Sequence, residues 1–412
     1  MGRSISQKVR VALSAVGPGL FLIGYNIGTG SVTTMAKAGA EFGMNLFWAV
    51  ILSCMFTYIL MVAYGKMTIV YGHTALYNFK TEIRGGRLLA LYIMIALIVG
   101  ELLALIGIMG IVADLVQEGI RLLTNGLHVQ TGWIILVLSV LLYFLLWYGR
   151  YKVFEKVLTG FVILMAFCFA AVFFMVRPAV TSIVGGMIPG IPDSPQAVGI
   201  VAAIVGTTCS AAVFVMRSTV VAEKGWSIEN LKDEKRDAFT SATMMLFLSG
   251  IIMAVSAGTL HVMGLKLDNT LEMISLFEPI GGKAAAFLLI LGISGAGLST
   301  IFPIILIAPW LISDYTGTKR DIRSPLYRIL ILVSLLFAFG SMFMEKSPTL
   351  LMVFSQIFQA AILPAVVIPV FILLNRKRIM ASHPAGTKMN IGLTLVTVFS
   401  LITMYFAILE FF

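Results

Sequence analysis

The sequence predicts an all-α polytopic membrane protein, built as a 5+5 inverted repeat of helices followed by an eleventh. Composition is the first observation: 59% of the 412 residues are hydrophobic and 12% charged, with a mean hydropathy of +1.00. No soluble domain of that length is so apolar. Apolar runs long enough to cross a bilayer are the second, at about 13–38, 45–71, 88–113, 130–148, 157–176, 197–222, 239–263, 284–312, 328–344, 348–374 and 389–411. The third is a matched pair of interruptions, Gly28-Thr29-Gly30-Ser31 in the first run and Val205-Gly-Thr-Thr-Cys-Ser-Ala-Ala212 in the sixth. Weak helices at corresponding places in two halves point to an inverted repeat with a binding site at the breaks. The chain then divides into a first repeat (1–176), an external linker with Pro178, Pro189, Pro192 and Pro195 (177–196), a second repeat (197–374) and the last helix (375–412).

The first span follows a basic segment, Gly2 to Arg10, and is interrupted near mid-membrane. Glycine costs about 1 kcal/mol against alanine inside a helix, and backbone groups freed in lipid must face protein, water or a ligand. Gly28, Thr29, Gly30 and Ser31 are therefore candidate substrate-binding residues, and the positive end of the outer half-helix favours an anionic group. Glycines at this spacing also suit close helix packing, which remains an alternative.

Spans two to five are more uniformly apolar, apart from Glu101 in the third. A carboxylate at that depth is expensive and calls for a partner, so Glu101 is expected to pair with Arg217, or failing that Arg328, as a coupling or gating group. In the sixth span Thr207 and Ser210 offer neutral hydrogen bonds. The charged stretch 223–237 reads as a short solvated helix without chemistry. Gln356 and Gln359 in the tenth span need partners for their amides and should face the bundle interior, with Gln356 at the substrate.

Most of the 29 Lys and Arg residues fall in segments on one side of the bilayer, among them Arg84, Arg87, Lys232, Lys235, Arg320, Arg376, Lys377 and Arg378. Positive segments stay inside, so the N-terminus is expected in the cytoplasm and the C-terminus outside, in a bacterial-type inner or plasma membrane. That asymmetry accounts for the net charge of +10 without nucleic acid as a partner. Cys54, Cys168 and Cys209 lie within spans and have no metal-ligand spacing. The four histidines make no catalytic constellation, so no enzyme is expected.

Gly17-Pro18, the Gly39-Ala-Glu-Phe-Gly43 turn, Leu46-Phe-Trp48, Gly297-Leu-Ser-Thr300, and Ser355-Gln with Leu363-Pro together resemble the Nramp family of proton-coupled divalent-metal importers. The similarity runs through most of the chain and implies the LeuT-like fold. The family's metal ligands do not carry over. Its Asp-Pro-Gly-Asn becomes Gly28-Thr29-Gly30-Ser31, and its Met-Pro-His becomes Ser210-Ala211-Ala212. A later histidine falls on Arg217, and of two acids in the third helix only Glu101 is kept, the other being Ala104. No carboxylate, imidazole or thioether replaces the lost groups, so a site for Mn2+ is not expected.

The replacement resembles the sodium site of neurotransmitter:sodium symporters, where first-helix carbonyls three residues apart meet an Ala-x-x-Thr-Ser pattern in the eighth helix. The match implies a Na+ site formed by the carbonyls of Gly24, Ile27 and Ala296 and the hydroxyls of Ser299 and Thr300. Sodium or a proton is then the coupling ion, with no other cofactor. The leading expectation is a secondary active transporter that takes up a small organic solute by alternating access. The alternative is a divalent-cation transporter, with hydrated Mg2+ as cargo, although no carboxylate is expected beside the break. A third possibility is a scaffold that kept the fold without transport.

Overall fold

The computed structural model describes residues 24–25, 27–124, 126–147, 151–318, 320–343 and 348–411. The start of the first predicted span, with Gly17 and Pro18, lies outside them. In chain order the helices are α1 (Thr29–Phe42), α2 (Phe47–Tyr71), α3 (Ala75–Glu82), α4 (Gly86–Leu123), α5 (Thr131–Trp147), α6 (Tyr151–Val176), α7 (Val180–Gly185), α8 (Pro195–Thr208), α9 (Ala211–Glu223), α10 (Leu231–Ser256), α11 (Thr270–Thr316), α12 (Pro325–Ala338), α13 (Pro348–Leu374), α14 (Lys377–Met380) and α15 (Thr387–Phe411). Among the described residues, 8 helical stretches are long and apolar enough to cross a membrane. Two shorter apolar helices, Thr131–Trp147 and Gly160–Val176, take the places of the fourth and fifth spans. With α1 as the second half of the first span, the order follows the apolar runs.

Local chemistry sets the helix ends. Ser324 begins α12, its hydroxyl accepting from the Tyr327 N–H ahead of Pro325, while Ser194 and Pro195 begin α8. Helix α2 stops at Gly72, whose φ of 82° is the left-handed conformation that glycine reaches without strain. Helix α11 holds a kink at Gly282 (φ 66°, ψ −169°), so the eighth span begins there and a separate helix precedes it. Apolar periodicity had marked only the spanning part.

Both interruptions are breaks in the structure. Gly28 is extended (φ −97°, ψ −165°) ahead of α1, and α8 ends at Cys209 before Ser210 (φ −60°, ψ 126°) opens α9. Close packing occurs at the same places. A Cβ on Gly28 would lie 1.7 Å from Thr300 Oγ1, and one on Gly206 would lie 1.7 Å from the Gln356 carbonyl oxygen. The glycines thus serve the packing that was the alternative reading as well as the break. Helix α4 packs on α11 and α13 and leaves one face exposed, and α8 packs on α13.

The charged stretch 223–237 differs from expectation. A 3-10 turn at Ile228–Asn230 leads into α10, and Glu234 and Asp237 of its first two turns are buried rather than solvated. Three residues apart, they share one face of the helix, and that face meets Arg217.

Candidate functional site

A cavity with about 300 Å³ of empty space, counting its open mouth, lies where the two breaks face each other. Gly28, Gly30 and Ser31 contribute from the first break, Thr207 and Ser210 from the second, and Gln356 from α13. These predicted residues are brought together. The Ser31 and Thr207 hydroxyls are 2.9 Å apart, a hydrogen bond that joins the two broken helices. Gln356 Nε2 donates to Ser355 Oγ at 3.2 Å. Thr29 does not line the cavity: its hydroxyl is turned toward Gly297 of α11, 2.8 Å from where a Cβ there would sit.

Glu101 of α4 also lines this cavity and is 4% exposed. It meets neither expected arginine. Gln359 Nε2 donates to Glu101 Oε1 at 2.7 Å, and the Tyr25 hydroxyl faces the same carboxyl group outside hydrogen-bond geometry. Arg217 is fully buried and bonded to Glu234 and, at 2.6 Å, to Asp237. An arginine on α9 meets the nearer acids of α10 first, which consumes the cation that was expected at Glu101. Arg328 holds its guanidinium 3.6 Å from the centre of the Trp147 ring. Neither arginine forms the expected pair with Glu101.

Of the proposed Na+ ligands, four come together. Ser299 Oγ lies 3.1 Å from the Gly24 carbonyl oxygen and 2.8 Å from that of Ala296. Thr300 Oγ1 lies 3.3 Å and 2.9 Å from the same two oxygens. Ile27 is buried at the break beside them. Serine and threonine commonly bond back to carbonyls three and four residues earlier, so the contacts to Ala296 are ordinary. The contacts to Gly24 cross between helices and satisfy a carbonyl next to the broken segment.

Four cavity residues were missed by sequence reasoning: Tyr25, Val213, Ile304 and Met352. A thioether is therefore present after all, supplied by a helix other than the family's usual donor. Met352 stands four residues before Gln356 on α13, and that spacing on one helix face was the available signal. The chemical outcome is a cavity of hydroxyls, one amide, one phenol, one thioether and one carboxylate. That donor set suits a cation.

Half-helices broken opposite each other around a buried polar cavity define a membrane transporter of the LeuT-like class. Residues 19–410 match the profile of the Nramp family, described as natural resistance-associated macrophage protein-like, and the chain belongs to that family. A divalent metal cation transporter, MntH of Staphylococcus saprophyticus, is 26% identical over 98% of this chain and 93% of its own length. MntH of Erwinia tasmaniensis is 25% identical over 72% of this chain and 71% of its own. Among solved structures, a variant of the Eremococcus coleocola manganese transporter superposes with a TM-score of 0.77 at 16% identity, covering 100% of this chain and 88% of that one. The chain is an integral membrane transporter and not an enzyme.

Proposed function

We propose that this protein carries a hard divalent cation of the magnesium type across the membrane, still partly hydrated, by alternating access at the two helix breaks. The Glu101 carboxylate inside the cavity carries this reading, because the sequence had left no acid beside the break to offset a double charge. The relatives named as divalent metal cation transporters support it. The hydroxyl and amide oxygens of Ser31, Thr207, Ser210 and Gln356 suit a cation that keeps its water. The lysine and arginine distribution supports a cytoplasmic N-terminus and an external C-terminus. Residues 1–176 and 197–374 are the halves that would move against each other, joined by 177–196 and followed by 375–412.

Reconstituted into liposomes, the protein should take up Mg2+, and Glu101→Gln should slow uptake at least about tenfold while the protein stays monodisperse. Calorimetry should show no micromolar binding of Mn2+ or Cd2+. Uptake of an amino or organic acid, with none of any divalent cation, would overturn the proposal.

A second reading, uptake of a small organic solute driven by Na+, is favoured by the oxygen cluster around Gly24 and Ala296. Replacing Ser299 and Thr300 together with alanine removes two of the four oxygens that come together and should abolish stimulation by Na+ while leaving folding intact. If the parent responds to a pH gradient and not to Na+, the cluster is packing and protons are the coupling ion.

A further inference from the structure

We infer that the basic hollow between the end of α3 and α14 is a binding site for the headgroup of an anionic phospholipid. Thr81, Glu82, Arg84, Arg376, Lys377 and Arg378 line a hollow with about 920 Å³ of empty space, counting its open mouth. Its one carboxylate is already engaged: Glu82 Oε1 accepts from the Tyr71 hydroxyl at 2.8 Å, and Oε2 from Arg378 at 3.0 Å. The Glu82 carbonyl accepts from Arg376. Arg84 and Lys377 are exposed, and among the described residues neither has a salt bridge. Four cations therefore surround a single, saturated acid, an arrangement that attracts an external anion.

The surroundings indicate which anion. Arg87, three residues after Arg84, is exposed in the first turn of α4, and Leu91, Ile95 and Val99, at four-residue steps from it, are exposed apolar side chains. Charge gives way to a lipid-facing stripe within one turn of helix. A phospholipid phosphate suits arginines that bind oxyanions in bidentate fashion, and its acyl chains suit the stripe. Free phosphate satisfies only the first. The hollow lies on the lysine- and arginine-rich side of the bundle, where an anionic leaflet enriches such headgroups. The inference goes beyond the transport reading and does not depend on it.

Native mass spectrometry of the full chain should show one retained phosphatidylglycerol, preferred at least about tenfold over phosphatidylcholine of the same chains. Combining Arg84→Gln, Lys377→Gln and Arg378→Gln should remove the preference, whereas Arg84→Lys with Arg378→Lys, which keeps the charge and loses the fork, should keep part of it. Equal retention of the two lipids, or an unchanged preference in the neutralised variant, would overturn the inference. So would thermal stabilisation by inorganic phosphate equal to that by phosphatidylglycerol. Should the neutralised variant fail to fold, the parent in rising NaCl decides: the preference must fall steeply with salt, and a flat response refutes the site.

Discussion

Arg217→Met should lower the melting temperature of the purified protein by more than any other single change considered, or prevent its accumulation in the membrane. The guanidinium is fully buried and bonded to Glu234 and Asp237, themselves buried. Removing one partner from a buried ion group costs about 3–5 kcal/mol, because the charges left behind have neither water nor counter-ion. Here two carboxylates on one face of α10 would be left to repel each other. The control is the variant that also carries Glu234→Gln and Asp237→Asn, since a buried ion group replaced as a whole is often close to neutral. It should recover most of the lost melting temperature in a fluorescence size-exclusion assay. An Arg217→Met protein melting within about 2 °C of the parent would show that the ion group adds nothing.

Gly206→Val should abolish transport. The added Cβ would lie 1.7 Å from the Gln356 carbonyl oxygen, 2.7 Å from its carbon and 3.1 Å from the Ala360 nitrogen. All three are backbone atoms, so no rotamer change relieves the overlap and α8 must move off α13. Overpacking of this kind costs about 1–3 kcal/mol, and more where the obstacle is main chain. It also displaces Thr207 and Gln356, two walls of the cavity. Gly160→Ala is the matched control, because a Cβ there meets nothing within 4 Å. Transport by Gly206→Val at half the parental rate or better would mean that the α8–α13 contact has no part in the cycle.

The helix breaks were legible because glycine and hydroxyl residues in the middle of an apolar span contradict their surroundings. The cavity lining that follows from the breaks, Ser31, Thr207 and Ser210, was legible for the same reason. The partner of Arg217 was not. Glu234 and Asp237 sit among Lys232, Lys235 and Arg236, and only the helix that they begin decides which of these charges turn inward. Met352 was hidden differently: an apolar side chain facing a cavity has the same sequence signature as one facing lipid. The i, i+4 relation to Gln356 was the only clue. Glu101 was found, but its partner was misjudged, since a neutral amide, Gln359, replaces the cation that burial alone would demand.

The hydroxyls of Ser299 and Thr300, resting on the Gly24 carbonyl, bear on the timing of the cycle. Freeing that carbonyl takes only the turning of two small side chains, whereas a change of access takes a collective shift of packed helices over microseconds to milliseconds. An ion attracted to those oxygens would bind and leave on the open side without waiting for the bundle to change shape. Its occupancy would therefore track the bulk concentration on whichever side is open, and the slow helix movement would sample that occupancy without disturbing it.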